Sequence, residues 1–168
     1  MLAKYGRTQL GKRSQHSLQA TGPRTYQVVE LDIKATHKNG QPTIWAPLIE
    51  KWTAAGISVA DACSAILWRL NALAPLTLVV HSGNISLHGW FRAIPGEESA
   101  WKEVMRFAVE LGADKATWTR NQFVRMPGGL REKPDGPRSP GVRQQVFYFN
   151  PQNAVNETAA PKEVFSSF

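Results

Sequence analysis

In YQVVELDIK, residues 26–34, Val29, Leu31 and Ile33 alternate with Val28, Glu30 and Asp32. This period of two predicts a strand with an apolar face and a mixed one. HKNGQP (37–42) breaks the pattern at a turn. The stretch 43–55 (TIWAPLIEKWTAA) predicts a helix, with Pro47 in its first turn or at a kink. Gly56 closes that helix, and Ser58 is a candidate cap for the next, SVADACSAILWRLNAL. LTLVVH (76–81) predicts a second strand and Ile85 to Ala93 a third, joined at Ser82-Gly83-Asn84, where Gly and Asn tolerate positive φ. Ile94-Pro95-Gly96 ends the third strand, and 99–112 (SAWKEVMRFAVELG) predicts an amphipathic helix with a glycine stop. A short strand or two is expected within 116–124, a Gly/Pro/Arg-rich loop over 127–143 and a last strand over 144–150. Residues 1–24 and the chain from Pro151 are polar and unpatterned, so the first reads as a mobile arm and the second as a loose tail.

Strands and helices alternate, but a hairpin interrupts the middle. That order predicts an α+β or split α/β sheet domain rather than a doubly wound parallel one. The expected organisation is a basic arm (1–24), a folded domain (25–151) and a C-terminal tail (152–168). The length of 168 residues suits one domain plus tails, and a 42% share of hydrophobic residues suffices for a core. No run of 18 apolar residues is present, so no membrane span is expected. The first residues, MLAKYGRTQLGKRSQ, lack the apolar stretch of a secretory signal. The single cysteine, Cys63, lies in an apolar helical context and reads as a buried structural thiol. A reducing, cytoplasmic setting is the corresponding expectation.

Charge changes the picture through its placement. The net charge is +7, and residues 1–24 hold Lys4, Arg7, Lys12, Arg13 and Arg24 with no acid. A second basic segment holds Arg125, Arg131, Lys133, Arg138 and Arg143 against Glu132 and Asp135. Two basic segments around a nearly neutral middle fit polyanion binding; a solubilising tail and a solvated loop fit as well.

Four groups of residues carry candidate chemistry. Glu30 and Asp32, two apart in a strand, leave the same face, and two neighbouring carboxylates repel unless a cation lies between them. A hard divalent metal resolves such a pair; so does plain solvation with Lys34 nearby. Ser86 and His88 repeat the spacing in the hairpin strand, where hydroxyl and imidazole can grip a phosphate or act as nucleophile and base. No Gly-x-Ser-x-Gly elbow supports hydrolase chemistry, and an exposed polar strand face is the plain alternative. Asp114 follows the amphipathic helix, an ordinary position for a polar turn residue or a cap. Arg125, ahead of a Gly-Gly turn, has the reach to hold a phosphate bidentately or to pair with a surface acid. No His-x-x-x-His or Cys-x-x-Cys spacing points to zinc.

The order of these pieces resembles the archaeo-eukaryotic primase superfamily, in particular the primase-polymerase domains of plasmid, phage and prophage replication proteins. The residues that carry the resemblance are VVELD (28–32), HSGNISLHGWF (81–91), LGADKATWTRNQFVRMPGG (111–129) and RQQVFYFN (143–150). The resemblance implies a primase-polymerase-like domain, a mixed or antiparallel sheet with an RRM-like hairpin core flanked by helices. It implies template-dependent nucleotidyl transfer, that is, DNA primase or polymerase activity in plasmid- or phage-type replication. By the same resemblance Glu30, Asp32 and Asp114 match the acids that hold catalytic Mg²⁺ or Mn²⁺, and Ser86 and His88 match the pair on the nucleotide's phosphates. Arg125 matches a basic residue beside the site. The implied partners are nucleoside triphosphates, a single-stranded DNA template and a helicase in cis or in trans. The template phosphates would be met by Arg131, Lys133, Arg138 and Arg143, while Trp90 either stacks on a base or packs. Two positions depart from the family pattern: Glu30 stands where many members have Asp, and Asn84-Ile85 stands where related proteins often have Gly-Lys. These departures keep open a second expectation, a catalytically inactive nucleic-acid-binding module of a replication initiator.

Overall fold

The computed structural model describes residues 24–93, 98–119, 124–131 and 141–155, together with the backbone at 6–7 and 13–14. Two short strands, β1 (Gly6–Arg7) and β2 (Arg13–Ser14), pair with each other, so the basic segment holds a small hairpin where a mobile arm was expected. The main sheet uses β3 (Tyr26–Leu31), β4 (Leu76–His81), β5 (Leu87–Arg92) and β8 (Gln145–Phe149). Their spatial order is β3-β5-β4-β8, and every neighbouring pair is antiparallel. The protein is therefore α+β, with a four-stranded antiparallel sheet and helices.

The strands β3 and β4 run the same way with β5 inserted between them, so the chain must cross over between the two. Helices α1 (Ala46–Ala54) and α2 (Val59–Asn71) make that connection. Pro47 sits in the first turn of α1, where its missing N–H costs nothing. Ser58 and Asp61 form a reciprocal capping box that starts α2: the Ser58 hydroxyl accepts from the Asp61 N–H, and the Asp61 carboxylate accepts from the Ser58 N–H. Helix α3 (Glu98–Glu110) follows β5 and ends where Gly112 takes a positive φ of 100°.

Both α2 and α3 pack on one face of the sheet. Val29 and Leu31 of β3, Leu87 and Phe91 of β5, and Val79 of β4 meet Leu67, Leu70, Trp101, Val104 and Met105 there. A Cβ added at Gly89 would stand 2.6 Å from a methyl of Leu67, so α2 approaches β5 closely because that residue has no side chain. Cys63 is fully buried in this core, and desolvation pushes its thiol pKa up to about 11.

Several local expectations are corrected. The strand predicted to Lys34 stops at Leu31, because its ladder partner in β5 begins at Leu87. The hairpin turn is longer than Ser-Gly-Asn: the Ser82 N–H donates to the Ser86 carbonyl at 2.9 Å, leaving Ile85 and Ser86 outside the strand. Instead of a strand near 116–119 there is a 3₁₀ turn over Lys115–Trp118, begun by Asp114, whose carboxylate accepts from the Ala116 N–H at 2.9 Å. The rest of that predicted strand, at 120–123, lies outside the described residues. The ends of the basic loop pair as β6 (Leu130–Arg131) with β7 (Val142–Arg143). The tail opens with a short helix, α4 (Pro151–Val155), started by Asn150 and tied to β4 by a bond from Asn153 Nδ2 to the Leu76 carbonyl at 2.9 Å. Arg24 belongs to the folded part rather than to an arm. Its guanidinium, buried over Trp118, holds both Glu98 oxygens, at 3.2 and 3.0 Å.

Candidate acid and imidazole site at one end of the sheet

On the sheet face away from α2 and α3, three cross-strand pairs follow one another: Tyr26 opposite Arg92, Val28 opposite Trp90, and Glu30 opposite His88. The last pair lies beside the β4–β5 turn. His88 Nε2 is 3.6 Å from Glu30 Oε1, too far for a good hydrogen bond. Both ring nitrogens of His88 are buried and without a hydrogen-bond partner among the described residues. Ser86 is buried at the same end of the strand, and its hydroxyl lies close enough to Glu30 to favour the ionised carboxylate.

Asp114 reaches the same place by a different route. Ala113 bridges to Leu31, and the Asp114 N–H donates to the Glu30 carbonyl at 2.8 Å. Asp32, just beyond β3, is paired with Lys34. Glu30 senses the other two acids. The Glu30 carboxyl is held above the usual carboxylate range, first by burial and then by the charges of Asp114 and Asp32; Ser86 and the Arg125 guanidinium pull it back. His88 is pushed down to about 4, first by desolvation and then by Arg125, with Asp32 opposing. The imidazole is therefore neutral at pH 7, and its contact with Glu30 is not an ion pair.

Glu30 and His88 stand opposite each other, Asp114 is bonded through its backbone to Glu30, and Asp32 and Arg125 lie within electrostatic range of the pair. The basic residues divide. Arg131 and Arg143 stand on the β6–β7 hairpin, with Arg143 Nη1 donating to the Gly128 carbonyl at 3.1 Å. That hairpin rests on the turn beside the site, since a Cβ at Gly83 would lie 3.0 Å from Val142. Lys133 and Arg138 lie outside the described residues. Ser82 was read only as a turn residue; it is buried at this end, with its hydroxyl unpartnered among the described residues. Nothing in the local pattern separated it from an ordinary turn serine.

A metal ion fits the donor set but not the present rotamers. Three carboxylates are the oxygen ligands that Mg²⁺ or Mn²⁺ takes, and the repulsion that raises Glu30 is what a cation relieves. Among the described residues, however, no three His, Cys, Asp or Glu side chains stand ready to hold a metal. Asp114 is engaged with the Ala116 N–H and Asp32 with Lys34.

A groove of about 410 Å³ lies on the opposite face of the sheet, between α2 and β8, lined by Leu67, Trp68, Val79, Phe147 and Tyr148 among others. It offers two hydroxyls, of Ser64 and Tyr148, and no carboxylate, imidazole or guanidinium, so the chemistry lies elsewhere. No helix among the described residues is long and apolar enough to cross a membrane. Fold and site together define an α+β protein with an acid–imidazole–guanidinium cluster at one end of an antiparallel sheet. No family model, curated protein or solved structure matches the chain.

The buried imidazole has a consequence for stability in metal-free buffer. The folded pKa of His88 lies below its unfolded value, so the unfolded chain binds the proton more tightly. Stability from this residue is fully present above the unfolded value of 6.5 and is lost as pH falls toward about 4. The shift amounts to about 3 kcal/mol at ~1.4 kcal/mol per unit. Glu30 has the opposite sign: its raised carboxyl gains a proton more readily in the folded state, which offsets part of the loss. Urea unfolding of wild type and His88→Gln across pH 7 to 4 isolates the imidazole. The stability advantage of the wild type is expected to shrink by about 3 kcal/mol over that window. A pH-independent difference would mean that His88 titrates normally.

Proposed function

We propose that the chain is a primase-polymerase-like nucleotidyltransferase. It adds nucleotides to a 3′-hydroxyl along a single-stranded DNA template, in plasmid- or phage-type replication. The observation that carries this reading is the convergence of Glu30, Asp32 and Asp114 beside Ser86, His88 and Arg125, from four separate stretches of the chain. Chance surface acids separated by more than eighty residues rarely share a backbone bond and a common electrostatic neighbourhood with an unpartnered imidazole.

Glu30, Asp32 and Asp114 would hold the Mg²⁺ or Mn²⁺ ions. Bound divalent ions supply the charge that lowers the pKa of the attacking hydroxyl and stabilises the leaving pyrophosphate. The protein's own groups do the rest. The Ser86 hydroxyl orients the Glu30 carboxylate. Neutral His88, whose buried ring nitrogens have no protein partner among the described residues, would offer one N–H to a phosphate oxygen once the site opens to admit it. Arg125 brings a permanent positive charge to the triphosphate. Arg131 and Arg143 extend the positive surface along the adjoining hairpin toward template phosphates. A helicase acting in cis or in trans and a cytoplasmic setting complete the reading.

One observation favours the second reading, an inactive nucleic-acid-binding module: Asp114 already serves as the cap of the 3₁₀ turn. Equilibrium binding of a fluorescent nucleoside triphosphate, with and without Mn²⁺, tests the site before any turnover. Metal-dependent binding that Glu30→Gln abolishes is expected. Binding indifferent to both metal and substitution would contradict the assignment.

A further inference from the structure

The face that carries Glu30 and His88 continues past them. Trp90 and Tyr26 meet edge to face with ring centroids 5.9 Å apart, and the Arg92 guanidinium lies 5.5 Å above the Tyr26 ring. All three side chains are half-buried, so part of each meets solvent. Arg92 pairs with no carboxylate among the described residues. The rung of Tyr26 and Arg92 is four residues along the strands from the rung of Glu30 and His88. At about 3.3 Å per residue that separation is about 13 Å, the rise of roughly four stacked nucleotides.

We propose that Tyr26, Trp90 and Arg92 form a contact site for single-stranded DNA on the path to the acid–imidazole cluster, an inference that rests on the function proposed above. Charge complementarity selects the occupant. A guanidinium without a carboxylate partner among the described residues suits a phosphate, the half-buried Tyr26 ring keeps part of its surface for a base, and the chain carries a net charge of +7. Trp90 acts on Tyr26 rather than on the strand: its Nε1 is buried and the two rings pack against each other at 68°. It is a positioning residue. The sheet thus offers a base platform and a phosphate anchor in line with the place where a 3′-end would react.

The test is fluorescence anisotropy of labelled oligo(dT) with the full chain over a salt series. Wild type is compared with Arg92→Gln, Tyr26→Leu and a charge-matched control, Arg69→Gln, in the last turn of α2 on the other side of the sheet. Arg92→Gln is expected to reduce the slope of log affinity against log salt by about 0.7, one phosphate contact's worth. Tyr26→Leu is expected to weaken binding about tenfold. Arg69→Gln is expected to change neither the slope nor the affinity by a comparable amount. Should Tyr26→Leu fail to fold, the Arg92→Gln slope carries the test. Equal effects of Arg92→Gln and Arg69→Gln would reduce the site to net charge and overturn the proposal. So would wild-type slope and affinity in both Arg92→Gln and Tyr26→Leu, while leaving the proposed function standing. A wild type that binds no oligo(dT) would overturn the proposed function itself. Tighter binding of oligo(rU), with the same losses in the variants, would assign the surface to RNA and overturn the DNA assignment.

Discussion

Asp32→Ala is expected to lower Mn²⁺-dependent nucleotide addition by about a thousandfold or more while leaving the fold in place. The reasoning has two parts. A carboxylate that places a catalytic metal controls charge stabilisation worth several kcal/mol, and ~1.4 kcal/mol is a factor of ten in rate. The structural cost is small by contrast. Asp32 lies beyond the end of β3, its pair with Lys34 is partly exposed on both sides, and such pairs contribute roughly 0–1 kcal/mol. The urea midpoint should therefore stay close to that of the wild type. Asp32→Asn is the sharper variant, because it keeps the side-chain shape and removes only the charge. It also removes one of the two carboxylates that raise Glu30, so the Glu30 carboxyl moves back toward its ordinary range. Activity retained in both variants would place the metal elsewhere.

Phe91→Ala is expected to destabilise the protein by about 3–5 kcal/mol, measured by urea unfolding. Phe91 is fully buried in the core shared by β5, α2 and α3. Its strand is the second of the four and alternates its side chains between two jobs: Leu87 and Phe91 face the core, while His88 and Trp90 face the candidate site. A domain of this size has roughly 5–15 kcal/mol in hand, so the loss takes a large share of it. Triphosphate binding should fall in step with the folded fraction. A cost below about 1 kcal/mol would mean that the core is not packed around this ring.

Much of this arrangement was legible in the chain. The apolar run LTLVVH placed β4 to the residue, and Ser58 capped α2 as its position suggested. In both cases the signal is local: a short run of strand-forming residues in one, a hydroxyl before a helix in the other. What was not legible depends on partners far away in sequence. The strand after Tyr26 ends at Leu31 because β5 ends, not because Asp32 or Ile33 resists extension. The 3₁₀ turn after Asp114 replaced an expected strand because Ala113 is bridged to Leu31 and the chain is turned there. The candidate site shows the same division. The spacing of Glu30 with Asp32, and of Ser86 with His88, suggested shared faces. That Glu30 and His88 stand directly opposite each other is a matter of register, which no single strand records.

The central claim is that these converging groups transfer nucleotides, and primer extension measures it most directly. The intact chain is incubated with primed and unprimed single-stranded DNA, labelled dNTPs or NTPs, and Mg²⁺ or Mn²⁺, alongside Asp32→Ala. Incorporation that requires the metal and disappears in the variant is the expected result. No incorporation by the wild type under any of these conditions, with single-stranded DNA still bound, would contradict nucleotidyl transfer and leave the inactive binding module in its place.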